Sequence, residues 1–136
     1  MYFLDSSIII EALKGNENAV LLWEKILKKG KLILFINEVV YSETFYQLSI
    51  KKNFPVSEIY KLLRKSTYFL PINELIIDLS VEAMNNYKLL PNDSFILGTC
   101  KFYQIPNLIS LDTDFIEPCI HEKINLINST ENFIRR

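Results

Sequence analysis

Glycine, proline, cysteine and histidine are all scarce in this chain. Three glycines and five prolines in 136 residues, with 49% of residues hydrophobic, exclude a disordered or low-complexity polypeptide and point to a densely packed globular protein. The two cysteines, Cys100 and Cys119, form no paired or ligand spacing, and His121 is the single histidine, which argues against structural zinc. Apolar runs are only a few residues long, far short of a membrane span. The first acid stands at position 5, leaving no room for the basic and apolar regions of a secretory leader, so the expected compartment is cytoplasmic. An excess charge of one sign is missing too. With 15 basic and 16 acidic residues the formal net charge is −1, and no global field advertises a polyanion partner. Any nucleic-acid surface must be local. The basic clusters, Lys25, Lys28, Lys29 and Lys31 in one place and Lys51, Lys52, Lys61, Arg64 and Lys65 in another, read first as solvated helix faces and helix C-terminal cations.

What is present is an alternation of short apolar runs and amphipathic stretches. The length fits one domain, residues 1–136, able to bury roughly 68–70% of its unfolded surface. Met1 to Leu4 reads as a buried strand, with Ser6 or Ser7 as cap of a helix through Leu13 that Gly15 ends. Glu17 to Lys29 is a second helix with Gly30 at C′. Lys31 to Ile36 is a continuous apolar strand, after which Asn37 caps a third helix whose Val40, Glu43 and Gln47 share a face. Pro55 to Lys65 is a shorter helix and Tyr68 to Ile72 an extended segment broken by Pro71. Asn73 caps a helix ending near Tyr87, and Leu89-Leu90-Pro91 is a turn. Asn92 and Asp93 open a helix that runs to about Tyr103 and must stop before Pro106. Asn107 to Leu111 is the next strand, Ile124 to Ile127 the last, and Ser129 begins a short helix ending in Arg135 and Arg136. The fold class is α/β, a parallel sheet of four to five strands flanked by helices on both faces.

Carboxylates keep landing where strands end. Asp5 follows the first strand, Glu43 lies within two turns of the second, Asp93 starts a helix, and Asp112 and Asp114 follow the strand over Asn107 to Leu111. In a parallel sheet these five fall near the carboxyl edge, where such folds bind ligands. Each alone has a plainer explanation as a helix cap, a first-turn acid, an Asx turn or a solvent-facing residue. Together they repel unless a cation sits among them. Their oxygens suit Mg²⁺ or Mn²⁺, and a pair of such ions is the device that activates water and steadies the leaving oxygen in phosphodiester hydrolysis.

Phe3-Leu4-Asp5-Ser6-Ser7, Val40-Tyr41-Ser42-Glu43, Asn92-Asp93-Ser94-Phe95-Ile96-Leu97 and Leu108-Ile109-Ser110-Leu111-Asp112-Thr113-Asp114-Phe115, in that order, resemble the PIN-domain ribonucleases, in particular toxins of the VapC type. The resemblance covers nearly the whole chain. It implies a metal-dependent endoribonuclease in which Asp5, Glu43, Asp93 and Asp112 match the family's metal-site acids, with Asp114 auxiliary and Ser6 matching the small hydroxyl residue after the first Asp. It implies an RNA substrate, products with 5′-phosphate and 3′-hydroxyl ends, a homodimer, and a small VapB-like antitoxin that holds the toxin inactive. Ser7 stands where the family usually carries Asn, a departure that bears on the hydrogen bonding that orients Asp5.

Three other readings compete. A haloacid-dehalogenase-like phosphatase needs a second Asp two residues after the first, where Ser7 stands. A PIN-fold module that binds RNA or a partner without cutting has no reason to keep all four acids. A structure-specific DNA nuclease shares the metal chemistry but usually carries additional helices for which this chain has little room. The aromatics Tyr41, Phe45, Tyr46 and Tyr60 could serve an interface, although aromatics at helical spacing more often pack in a core.

Overall fold

A computed structural model describes residues 1–30 and 32–134. The expected roles of Lys31, Arg135 and Arg136 therefore lie outside the described residues.

Five strands form one parallel sheet: β1 (Tyr2–Leu4), β2 (Leu34–Ile36), β3 (Tyr68–Phe69), β4 (Asn107–Ile109) and β5 (Asn125–Ile127), in the order β3-β2-β1-β4-β5. The central β1 pairs Phe3 with Phe35 on one side and with Leu108 on the other. Phe3, Leu4, Ile36, Leu108 and Ile109 are fully buried, as strands covered on both faces require. Strands expected over six or five residues are shorter here. The regular ladder of β2 starts at Leu34, and that of β4 ends at Ile109, before Ser110 turns its hydroxyl into the fold.

The chain steps outward from β1 through α1 (Ser6–Leu13) and α2 (Glu17–Lys29) to β2, and through α3 (Glu38–Thr44) and α4 (Val56–Ser66) to β3. It then returns across the sheet through α5 (Glu74–Tyr87) and α6 (Pro91–Phe102) to β4, and continues through α7 (Ile116–Glu122) to β5 and α8 (Thr130–Ile134). Right-handed crossovers place the outward helices on one face and the return helices on the other. Contacts agree: α1 packs on α2 and α3, and α5 on α6 and α7. Between β1 and β4 the direction of winding reverses, which opens a crevice at their carboxyl ends.

Local signals account for most boundaries. Asn37 accepts from the Val39 and Val40 amides, Asn73 from that of Ile76, and Gly30 closes α2 at φ 65°. Buried Asn37 also donates to Thr99 Oγ1 at 2.9 Å, tying the start of α3 to α6. Pro91 is the first residue of α6 rather than part of a turn, because a missing N–H costs nothing there. Neither Ser6 nor Ser7 caps α1. Asp5 holds the N-cap position without a side-chain cap bond, its carboxylate and both serine hydroxyls being engaged elsewhere. Beyond Thr44 the third helix widens into a π-helical segment, Phe45–Ile50, which buries the Ser49 hydroxyl without a partner. Of the four aromatics considered for an interface, Tyr46 and Tyr60 are exposed, whereas Tyr41 and Phe45 are half-buried against each other. Among the described residues no helix is long and apolar enough to cross a membrane.

Candidate active site

Asp5 follows directly on β1, and its amide donates to Ile109 O of β4 at 2.9 Å, so it stands at the winding reversal. Its carboxylate is almost completely buried. Two hydroxyls, Ser7 Oγ and Ser110 Oγ, donate to the same oxygen, Oδ2, each at 2.7 Å. Ser7 Oγ in turn accepts the Leu111 amide and Ser110 Oγ that of Asp112, both at 3.0 Å. The two serines thus fasten the end of β4 to the start of α1 and leave Asp5 Oδ1 without a hydroxyl donor.

Glu43 reaches the same crevice from α3, where Ser6 Oγ donates to its Oε1 at 2.9 Å and Asn92 Nδ2 approaches its Oε2 at 3.4 Å. Asp93 lies in the first turn of α6, where the helix dipole favours an acid, and is 9% exposed. Asp112 forms an Asx turn, its Oδ1 accepting the Asp114 amide at 2.9 Å. Carboxylate oxygens of Asp93, Asp112 and Asp114 lie within 4.8 Å of one another. Asp5 and Glu43 are close enough for their charges to act on Asp93. All five acids singled out in the sequence are therefore brought to one edge, and Ser6 is brought with them. The departure at Ser7 does bear on Asp5, as the resemblance implied, its hydroxyl donating to Oδ2. Sequence reasoning assigned no role to Ser110 or Asn92, of which Ser110 left a signal as a lone hydroxyl in the apolar run before Asp112.

Burial pushes the Asp5 carboxyl up to about 6; the Ser110 and Ser7 hydroxyls oppose the rise and the charge of Glu43 adds to it. Burial also pushes Asp93 up to about 7, reinforced by the charges of Asp112, Asp5 and Glu43 and by a hydrogen bond with Asp112. The donor set is all oxygen, desolvated and mutually repulsive, and it fits a hard divalent cation that removes the repulsion. Among the described residues no sulfur or imidazole joins the cluster.

An acidic centre at the winding reversal of a five-stranded parallel sheet defines a class of α/β protein. The sequence narrows it: residues 2–120 match the PIN domain, and the chain belongs to the PIN-domain family, in its VapC-type branch. It is 36% identical over 128 residues to Ribonuclease VapC2 of Methanocaldococcus jannaschii, covering 83% of this chain and 85% of that protein. It is 32% identical to Ribonuclease VapC6 of the same organism, covering 92% of this chain and 93% of the relative. Among solved structures, Mycobacterium tuberculosis VapC20, described as a Sarcin-Ricin loop cleaving toxin, superposes with a TM-score of 0.70 at 17% identity, covering 87% and 95% of the two chains.

Proposed function

We propose that residues 1–136 act as one domain, a metal-dependent endoribonuclease that hydrolyses RNA phosphodiester bonds as the toxin of a toxin–antitoxin pair. The observation that carries this reading is the convergence of Asp5, Glu43, Asp93 and Asp112 at the reversal between β1 and β4, with the Ser7 and Ser110 hydroxyls fixing Asp5. Kinship with relatives named Ribonuclease VapC2 and VapC6 supports the same chemistry. In this reading Asp5, Glu43, Asp93 and Asp112 hold one or two Mg²⁺ or Mn²⁺ ions, with Asp114 auxiliary. A bound ion supplies Lewis acidity that lowers the pKa of a water and offsets charge on the phosphodiester. The chain's own part is positioning. Ser7 and Ser110 point one edge of the Asp5 carboxylate toward the cluster, Ser6 sets the rotamer of Glu43, and Asp93, pushed up to about 7 by burial and the neighbouring charges, gives up its proton when a cation binds. No protein nucleophile is required. The same reading includes a homodimer and a VapB-like antitoxin partner.

The decisive test is cleavage of single-stranded and structured RNAs, tRNA and rRNA fragments among them, by antitoxin-free protein with Mg²⁺, Mn²⁺ or EDTA and by Asp5→Asn. The expected result is cleavage that needs the metal and is lost in the variant. Absence of both cleavage and calorimetric metal binding would sink it in favour of a non-catalytic binding module.

A further inference from the structure

Beside the acids lies a second feature that their chemistry does not use. A cavity of about 480 Å³ opens next to Glu43, between α1, α3, the π-helical turn and the start of α6, with Ile10 on the α1 side beside Lys14, and Ser42, Glu43, Tyr46, Gln47 and Asn92 around the rest. Its wall is mostly polar. Tyr46 is 54% exposed, and the Lys51 ammonium sits over one face of its ring at 5.8 Å from the centroid. The Gln47 amide, on the face of the third helix that carries Glu43, makes no hydrogen bond to any described residue. Asn92 joins the cavity to the centre through its contact with Glu43 Oε2.

The backbone that presents these side chains is unusual. The Lys51 amide bonds to Tyr46 O, five residues back, at 3.0 Å, and the turn leaves the buried Ser49 hydroxyl unpaired. Single π turns of this kind are frequent at functional sites, because the extra residue re-aims side chains at a real cost in hydrogen bonding.

We infer that this cavity holds the nucleotide next to the scissile phosphate, its base stacked on Tyr46, its edge read by the Gln47 amide, and its backbone phosphate met by Lys14 and Lys51. The inference rests on the nuclease reading of the neighbouring acids and adds the residues that choose the cut. An aromatic ring supplies stacking to any base, an amide offers both a donor and an acceptor to a base edge, and lysines act as point charges for phosphate. A chain with a net charge of −1 has no global attraction for RNA, so recognition falls on a local set of this kind.

Two measurements test it. In the first, the Asp5→Asn chain is irradiated with a randomised single-stranded RNA carrying photoreactive thio-substituted nucleotides, and adducts are located by mass spectrometry. An adduct on Tyr46 is expected; adducts elsewhere only, or protection of Tyr46 by a protein partner but not by RNA, would overturn the inference. In the second, cut ends from a randomised RNA are sequenced. Gln47→Ala should flatten the preference at one position beside the cut. Tyr46→Ala should raise KM roughly tenfold with kcat nearly kept, and Tyr46→Phe should restore it. Unchanged preference and KM in both alanine variants would refute the inference while leaving the nuclease intact. If the wild-type chain cuts none of the RNAs, the cross-link alone decides whether this cavity holds RNA, and calorimetric metal binding decides the nuclease reading separately.

Discussion

The Ser110 hydroxyl donates to Asp5 Oδ2 at 2.7 Å although the two residues are 105 positions apart, and the same hydroxyl accepts the Asp112 amide at 3.0 Å. One small side chain thus orients the acid after β1 and the acid after β4. In Ser110→Ala both bonds go at once. Asp5 loses a donor that opposes the rise in its pKa, and the Asp112 amide is left without its partner. Removing groups that orient metal ligands typically costs 10–100-fold in activity or affinity, and an orphaned polar group costs about 1–3 kcal/mol. The expected outcome is a roughly 10–100-fold loss of metal-dependent cleavage with a melting temperature a few degrees lower. Wild-type cleavage in the variant would show that this hydroxyl positions nothing.

Stability of the metal-free chain should fall as pH rises from 5 to 8. Asp5 and Asp93 have ordinary values near 3.8 and folded values of about 6 and about 7, so between these limits the folded chain binds more protons than the unfolded one. Their protonation stabilises the fold fully below pH 3.8, and that contribution is lost as pH rises through 6 and 7. Asp5 alone, about one unit above pH 5, contributes about 1.4 kcal/mol to the difference between pH 5 and pH 8. Urea melts in EDTA check the sign. A higher midpoint at pH 8 than at pH 5 would contradict it, and Mg²⁺ added at pH 8 should recover the loss.

The carboxyl-edge pattern was legible because it depends only on strand order and on which residue follows each apolar run. Asp5 and Asp112 could be placed without a single distance. Caps at Asn37 and Asn73 were legible because each rests on one side chain and its own next turn. The hydroxyls of Ser7 and Ser110 were not, since what they touch is decided by β1 and β4 pairing. Helix α7 left no signal: it has seven residues, carries Pro118 in the middle, and exposes Ile116 and Ile120. The π turn was invisible because no residue type marks it: the bond from the Lys51 amide to Tyr46 O, five residues back, shows only once the helix is packed. Ser6 and Ser7 look like caps by residue type, and the neighbouring cluster of acids takes both hydroxyls instead.

Asp93→Asn should separate function from folding. Burial first, and then the charges of Asp112, Asp5 and Glu43, hold the pKa of Asp93 up to about 7, so above that pH the native carboxylate is both desolvated and a source of repulsion. An uncharged amide of the same shape removes it. In EDTA at pH 8 the variant should melt higher than wild type, by about 1–2 kcal/mol in stability, yet it should gain less from Mg²⁺ and fail to cleave RNA. Thermal melts with and without the ion read both halves, and equal stabilisation of the two proteins by Mg²⁺ would remove Asp93 from the metal site.

Gly98 gives a way to disturb the centre from behind without touching an acid. It lies in α6, five residues after Asp93, where α5 comes so close that a Cβ would stand 2.6 Å from Ser80 Oγ and 3.0 Å from Ile76 O. Ser80 Oγ donates to that same Ile76 carbonyl at 2.7 Å, so turning it away breaks a buried bond, and the carbonyl itself is backbone. Gly98→Ala must therefore push the two helices apart. Overpacking of this kind costs about 1–3 kcal/mol, which outweighs the roughly 1 kcal/mol that alanine gains over glycine in a helix. Because α6 carries Asp93, a shift on the order of 1 Å should depress cleavage by about 100-fold. Gly15→Ala is the contrast. There the φ of 89° disfavours alanine but nothing lies within 4 Å, so a loss of about 1 kcal/mol should come with unchanged cleavage. Equal effects of the two changes on activity would mean that helix placement at Gly98 does not set the geometry of the acids.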